Sequence, residues 1–473
     1  MRRTEPKTRR TCFDSRAAAA AIGACLLLAP IVAGAADEAI KVTAEATAPV
    51  PAGATDVRVV LTELLGVAAA GRGPLSFSEG RVVVDSTAIP AVPGLELHAD
   101  GRFRHGWTEV SRARRDVDRL YLRYGNPGGR WSLGLGRQPL LPLLGAQVDG
   151  ACAGLRLNDG LEGIVFGGLR PHPLTGGVDG RFRTVGVGYD ARDKDKNLAG
   201  GFAVDWFGGA LDRVYLTERA YARVSEAWVL HGQLIADFLS PQGILDDTHV
   251  TQSGKAEATD GFDLTQALLR ARYQKAELGD VSFSAFYLHA IVPAKWWWDW
   301  IAAERIKRGF SSDEIDTVGT RRASLQSIAN LRLSTTVVPY LTLRFDRRLA
   351  DRRDGYEVHP GVKLFLAPGT HASVSYSARQ YYKDAMNHRV SADFGADLAK
   401  TIGFEVEGTA MQSTPRQGDK AMLYEASALI YSGLGALHPA LAELELIAQY
   451  QGFYEPIMST HIVLARLAYR YRS

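Results

Sequence analysis

Cysteine is scarce in this sequence: 473 residues hold 3, and two of them, Cys12 and Cys25, fall within the first 36. Cys152 stands alone in the remainder, which excludes an intramolecular disulfide framework and a thiolate metal cluster there. Excess charge is scarce too, the formal net charge being +3. Arg2, Arg3, Lys7, Arg9, Arg10 and Arg16 outweigh Glu5 and Asp14 to give the first 36 residues +4, so the remainder carries about −1 and offers nucleic acid no electrostatic footprint.

Long apolar runs are also missing. After position 36 no run of 18 apolar residues occurs, which excludes a membrane-spanning helix in that part of the chain. Catalytic constellations are missing as well. His231, His249, His289, His359, His371 and His388 stand singly, with no H-E-x-x-H, no G-x-S-x-G and no phosphate loop running from a strand into a helix. No enzyme, cofactor or metal site is therefore expected. No internal repeat of ~20–30 residues occurs, which sets aside a β-solenoid.

What is present begins with a leader. A basic start, the apolar run AAAAAIGACLLLAPIVAGA and the small triplet Ala33-Gly34-Ala35 make residues 1–35 a secretory signal peptide, cleaved near Ala35. The alternative is a retained anchor helix, and Pro30 with the small residues after it argue against that. Residues 36–54, rich in Ala, Pro and Thr, are expected to form a flexible lead-in.

The rest of the chain alternates. In Thr401–Met411, Ile402, Phe404, Val406, Gly408 and Ala410 share one face, while Thr401, Glu405, Glu407 and Thr409 share the other. Residues 389–398 and 340–349 repeat the pattern, as do 95–104, 120–124, 228–237, 443–450 and 463–472. A period of two sustained over ~10 residues means long two-faced strands, the length a tilted strand needs to cross a bilayer. The polar face carries charges of both signs in mid-strand, where a packed sandwich core would reject them. That face must meet water, and the other suits lipid. The expected fold is all-β: one transmembrane antiparallel β-barrel over residues 55–473, of about 18–22 strands, in an outer membrane.

The connections agree. Gly125–Gly129, Asn158–Gly160, Leu278–Asp280, Val338-Pro339, Ala367–Thr370 and Ala399–Thr401 are short; 108–116, 139–148, 171–180, 239–261, 292–319, 350–355, 383–388 and 412–420 are longer and for the most part charged. Such alternation marks periplasmic turns and extracellular loops. Residues 190–198 break it, standing as a longish connection where a short one is due. With 57–67 and 80–87 as the first hairpin, an even strand number places both termini on the periplasmic side.

Two stretches resemble known families. Val463, Ala465, Leu467, Tyr469 and Tyr471 alternate with Arg466, Arg470 and Arg472. This is similar to the terminal strand that outer-membrane proteins present to the barrel-assembly machinery, except that Arg472-Ser473 follows the last aromatic residue. Trp131-Ser-Leu-Gly-Leu-Gly-Arg-Gln138, a loop, then Asp149-Gly150-Ala151 resembles a strand–loop–strand of outer-membrane porins related to the alginate-export family. The resemblance covers some twenty residues. It implies that Gly136, Arg137, Gln138, Asp149 and Gly150 flank an extracellular loop near a pore, and that the protein passes or exports small or polymeric polar solutes without chemistry. The loop itself, PLLPLLGAQV, lacks the polar residues usual there.

Parity along the strands assigns the lumen. Arg102, Arg104, Arg119, Arg123, Arg332, Arg344, Arg348 and Arg379 fall on the polar face of early and middle strands, and Arg137 joins them through the resemblance. Asp393, Asp397, Glu405, Glu407, Glu443 and Glu445 fall on that of later strands. Opposed walls of this kind set up a transverse field across an open, anion-biased pore. The alternatives are charges that neutralise one another across strands, a sealed barrel scaffolding a partner protein or lipid, and a barrel hydrolase. The expected surroundings are outer-membrane lipid and lipopolysaccharide, the assembly machinery, and a small polar solute or polysaccharide. One cluster, AKWWWDWIAAERIKRGF at 294–310, gathers Trp296, Trp297, Trp298 and Trp300. It suits an aromatic girdle at the membrane interface, or a helix over the mouth offering flat faces to a sugar.

Overall fold

The computed structural model describes residues 55–87 (without 69–74), 89, 92–108, 113–125, 129–172, 176–240, 259–289, 321–349, 352–381, 385–399, 401–415, 420–436, 438, 441–455 and 459–472. They form strands almost throughout. The first eleven are β1 (Thr55–Ala68), β2 (Leu75–Ser86), β3 (Leu95–Gly106), β4 (Arg114–Gly125), β5 (Trp131–Leu140), β6 (Ala146–Asn158), β7 (Leu161–Leu169), β8 (Phe182–Arg192), β9 (Lys196–Phe207), β10 (Ala210–Arg223) and β11 (Trp228–Ser240). The others are β12 (Thr259–Lys275), β13 (Gly279–His289), β14 (Arg321–Leu331), β15 (Val337–Arg348), β16 (Arg353–Ala367), β17 (Thr370–Tyr381), β18 (Ala385–Ala399), β19 (Ile402–Pro415), β20 (Ala421–Gly433), β21 (Leu444–Tyr454) and β22 (Ser459–Arg472). No helix among the described residues is long and apolar enough to cross a membrane.

Each strand pairs antiparallel with the next, and β22 pairs with β1 from Asp56↔Arg472 to Ala68↔Thr460. The 22-stranded sheet is therefore a closed barrel. Closure gives every strand two neighbours for its backbone N–H and C=O groups, which a lipid surround requires because it offers no partner of its own. Thr55 and Arg472 lie at one end, here the terminal end; the opposite one is the loop end. Strand number and fold agree with the alternation of the sequence; in the first hairpin β1 slightly exceeds 57–67, while β2 begins well before 80 and ends one residue short of 87.

Two expectations about connections need correction. Residues 190–198 are no long connection: β8 runs on to Arg192 and β9 starts at Lys196, so a three-residue turn suffices. Of the charges that suggested a loop, Asp190, Arg192 and Lys196 belong to the strands, Asp190 and Arg192 being two residues apart on one face and ion-paired, while Asp193, Lys194 and Asp195 make the turn. Val338-Pro339 is no turn either, because Pro339 pairs with Val362 inside β15 and the turn lies at 332–336.

The two faces follow from register. Leu61, Leu120, Leu133, Leu135, Val185, Val187, Leu343 and Phe345 point outward and are exposed. Rings flank this apolar band on the outer face. Tyr124 meets Trp131 at 5.5 Å and Trp228 meets Tyr273 at 5.1 Å towards the terminal end. Tyr376 with His388 at 6.1 Å, and Tyr450 and Tyr454 around His461, lie towards the loop end. Two aromatic belts around an apolar band are the surface a bilayer selects. Trp296, Trp297, Trp298 and Trp300 lie outside the described residues.

Candidate functional site: the barrel lumen

The inner face begins as a ladder of ion pairs. On β2–β6 the register stacks Arg81, Arg102 and Asp116 in one inward row and Glu79, Arg104 and Arg114 in the next. Arg81 pairs with Asp100 at 2.7 Å, Arg102 with Asp118 at 3.0 Å, Arg104 with Glu79 at 2.7 Å and Arg119 with Asp85 at 2.8 Å. Arg123 faces Glu162 at 3.7 Å. On this side the cross-strand arrangement neutralises the arginines locally. The side chains still meet solvent, Arg81 and Arg123 each retaining 46% exposure, as lumen groups do where water fills the bore.

The wall from β12 to β18 is different. Arg270, Arg272, Arg322, Arg344, Arg348, Arg379 and Arg389 all fall on the inward face by register. Asp346 serves two of them, accepting from Arg322 at 2.7 Å and Arg344 at 2.8 Å. Glu357 faces Arg379 at 3.5 Å and Asp280 faces Arg272 at 3.7 Å. Two guanidinium groups on one carboxylate leave a local positive excess. From β14 to β18 these arginines sit within four residues of the loop end. Asp397, Glu405 and Glu445 sit within three residues of the terminal end, with Asp393 and Glu407 between. Along β14–β21 the polarity of the wall is thus largely axial, where the sequence suggested two walls opposed across the bore.

Two expected wall residues leave the wall. Arg332 lies in the turn after β14 and donates to the carbonyl of Ala276 at 2.8 Å. Glu443 lies in the turn just before β21, exposed. Both keep the parity of their strand, but β14 has ended before Arg332 and β21 has not begun at Glu443. Arg137 is moved by its backbone. Gly136 adopts φ 121°, where a Cβ would strike the backbone of β4, so only glycine fits and the alternation of β5 breaks there. Arg137 turns into the seam, donating to both oxygens of Asp149 at 2.5 and 2.6 Å, to Val117 O at 2.7 Å and to Gly176 O at 2.6 Å. One guanidinium therefore ties β4, β5 and β6 to the loop between β7 and β8. In that loop Arg181 grips Asp179, donating with side chain and backbone, and holds its carboxyl down at about 2.

The apolar loop after Arg137 folds inward. Leu141–Leu143 make one 3-10 turn, Leu140, Pro142 and Leu143 are buried, and the Thr217 hydroxyl on β10 donates to Pro142 O at 2.7 Å. Leu140 and Leu143 pack with Val148, Phe166, Ala203 and Tyr215. The opposite wall is cut away to receive them: a Cβ at Gly188 would lie 2.8 Å from Pro142 Cβ, and one at Gly201 2.9 Å from Leu143 Cδ2. The lumen along β7–β11 is thereby narrowed by a docked apolar turn. This explains why the loop lacks polar residues. Below it, Arg219, His231 and Arg270 fall on the inward face by register; the two arginines were not among the expected wall residues, and His231 stood only as a single histidine.

No protein-family model and no curated protein matches the sequence. Solved structures similar to it are outer-membrane barrels. OpdK of Pseudomonas aeruginosa, with vanillate, matches with a TM-score of 0.44 at 12% identity over 89% of this chain and 99% of that one. A BenF-like porin of Pseudomonas fluorescens Pf-5 gives 0.47 at 8% identity over 89% and 99%. OccAB4 of Acinetobacter baumannii gives 0.41 at 8% over 89% and 98%.

Proposed function

We propose that the protein is a passive outer-membrane channel for small polar solutes, with anions favoured along the β12–β18 wall. The observation that carries this reading is the pairing of a closed lipid-suited exterior with a charged interior whose guanidinium groups remain open to solvent. A lumen sealed by its own side chains would bury those groups, at a desolvation cost that ion pairs rarely repay. The shared Asp346 supports the anion bias, because rings and rows of uncompensated charge are how pores select. The signal peptide is proposed to be removed near Ala35, residues 55–473 to be delivered through the barrel-assembly machinery, and the loop end to face outward among lipopolysaccharide. The likeness of 131–151 to the alginate-export porins supports a pore-side role for Arg137 and Asp149, with passage of saccharide acids as its extension.

Liposome swelling tests the reading. Vesicles holding the refolded barrel should swell in isotonic small sugars and amino acids, and faster in a monocarboxylate than in a cation of equal size. Vesicles that stay as tight as protein-free controls would mean a sealed scaffold instead.

A further inference from the structure

Near the terminal end, three adjacent strands bring metal-type donors to one point. His371 on β17, Asp393 on β18 and Glu405 on β19 face the lumen half-buried, and one ligand atom from each lies within 4.8 Å of the other two. Register explains the meeting. His371 pairs with Gly395 and Gly395 with Glu405, so the three positions form one inward row. Direct cross-strand neighbours stand ~4.5–5.5 Å apart at Cβ, which would hold His371 and Glu405 too far apart if a side chain stood between them. None does. The imidazole lies over Gly395, where a Cβ would come 2.8 Å from Nε2 and 3.2 Å from Nδ1. Asp393 enters from the next position on the same face of β18, its carboxylate held by the Ser373 hydroxyl.

We propose that His371, Asp393 and Glu405 bind one divalent transition-metal ion of the Zn2+ type. One imidazole and two carboxylates are the mixed donor set such ions accept, and hard ions such as Ca2+ and Mg2+ make no use of the nitrogen. Donors around Zn2+ sit ~2.0–2.2 Å from the metal, so the three side chains draw in by rotation about their own bonds. Asp397 adds negative charge on the same face of β18, two positions beyond Gly395. Bound there, the ion clamps β17, β18 and β19 together and offsets the acidic mouth of the bore without blocking it.

The full chain, refolded in detergent, is dialysed against ZnCl2 at neutral pH. One Zn2+ per barrel is expected, displaced poorly by excess Ca2+. His371→Ala and Asp393→Asn should each weaken binding on the order of 10–100-fold. Gly395→Ala should do the same with all three donors intact, because its methyl group displaces the imidazole. Heat-modifiable mobility on gels verifies folding of each variant. On the unaltered chain Zn2+ should shield His371 from diethyl pyrocarbonate, read by peptide mass. Absence of stoichiometric Zn2+ binding, binding that survives both donor substitutions, equal displacement by Ca2+, or His371 modified equally with and without Zn2+ would each overturn the proposal. None of these readouts depends on whether the lumen conducts.

Discussion

Arg137 holds Asp149 through two parallel hydrogen bonds, Nε to Oδ1 at 2.5 Å and Nη2 to Oδ2 at 2.6 Å, with side-chain exposures of 9% and 13%. Removing one partner of so buried a pair leaves the other charge without compensation, which typically costs about 3–5 kcal/mol. Arg137→Leu and Asp149→Leu are each expected to lower barrel stability by that order, measured by urea unfolding in lipid vesicles. The double variant should lose clearly less than the two singles together. Strict additivity would show that the pair does not hold the seam.

The docked turn is expected to act as a constriction. Leu143 is 3% exposed and rests on a wall cut back at Gly201. Leu143→Ala removes packing worth about 2–5 kcal/mol at a well-filled site, and Thr217→Val removes the hydroxyl that holds Pro142 O. Because the turn docks into the bore without contributing to the strand ladder, the two changes together should raise single-channel conductance, with the unfolding midpoint lowered by the packing lost and the barrel still assembled. An unchanged conductance would place the turn outside the solute path.

Selectivity should follow the shared carboxylate. Arg322→Gln with Arg344→Gln leaves Asp346 without its two ion-pair partners and removes the local positive excess. The reversal potential in a salt gradient is expected to move towards cation preference, and the shift should shrink at 1 M salt, where the screening length is only ~3 Å. Neutralising Arg102 and Arg104, which already have acidic partners, should move it less.

The loop between β7 and β8 should be insensitive to mild acid. Asp179 is held down at about 2 by Arg181, below the ~3.9 of an unfolded aspartate. A depressed carboxyl contributes fully above the unfolded value, and its contribution fades as pH falls through the folded one. A carbon-13 titration of the Asp179 carboxyl should therefore centre near 2, with the loop unchanged from pH 7 to 4. A midpoint near 4 would mean that the grip of Arg181 is not formed in solution.

The barrel was legible because lipid outside and water inside impose one rule on every strand, and a period of two records it. Ile402–Ala410 shows it, with Ile402, Phe404 and Val406 on one face and Glu405, Glu407 and Thr409 on the other. The lumen was less legible wherever the rule is suspended. Gly136 and the irregular pairing of β10 with β11 at Val214/Tyr215 shift the parity that assigns side chains to faces. Leu268 faces inward opposite Gln233, so the run Ala267–Leu269 blurs the alternation that would have revealed Arg270 and Arg272. Asp346 lies in the alternating segment 340–349 beside Arg344, but its other partner, Arg322, comes from the neighbouring strand β14, and pairing across strands is not written in either segment. The meeting of His371, Asp393 and Glu405 was hidden for the same reason. Each looks solitary along the chain, and only the register through Gly395 joins them.

The most direct test of the account is conductance through a planar bilayer holding the refolded chain, with a KCl gradient across it. An open, arginine-biased lumen predicts discrete ohmic steps and a reversal potential displaced towards that of chloride. Bilayers that stay silent, or steps whose reversal potential lies on the potassium side, would contradict it.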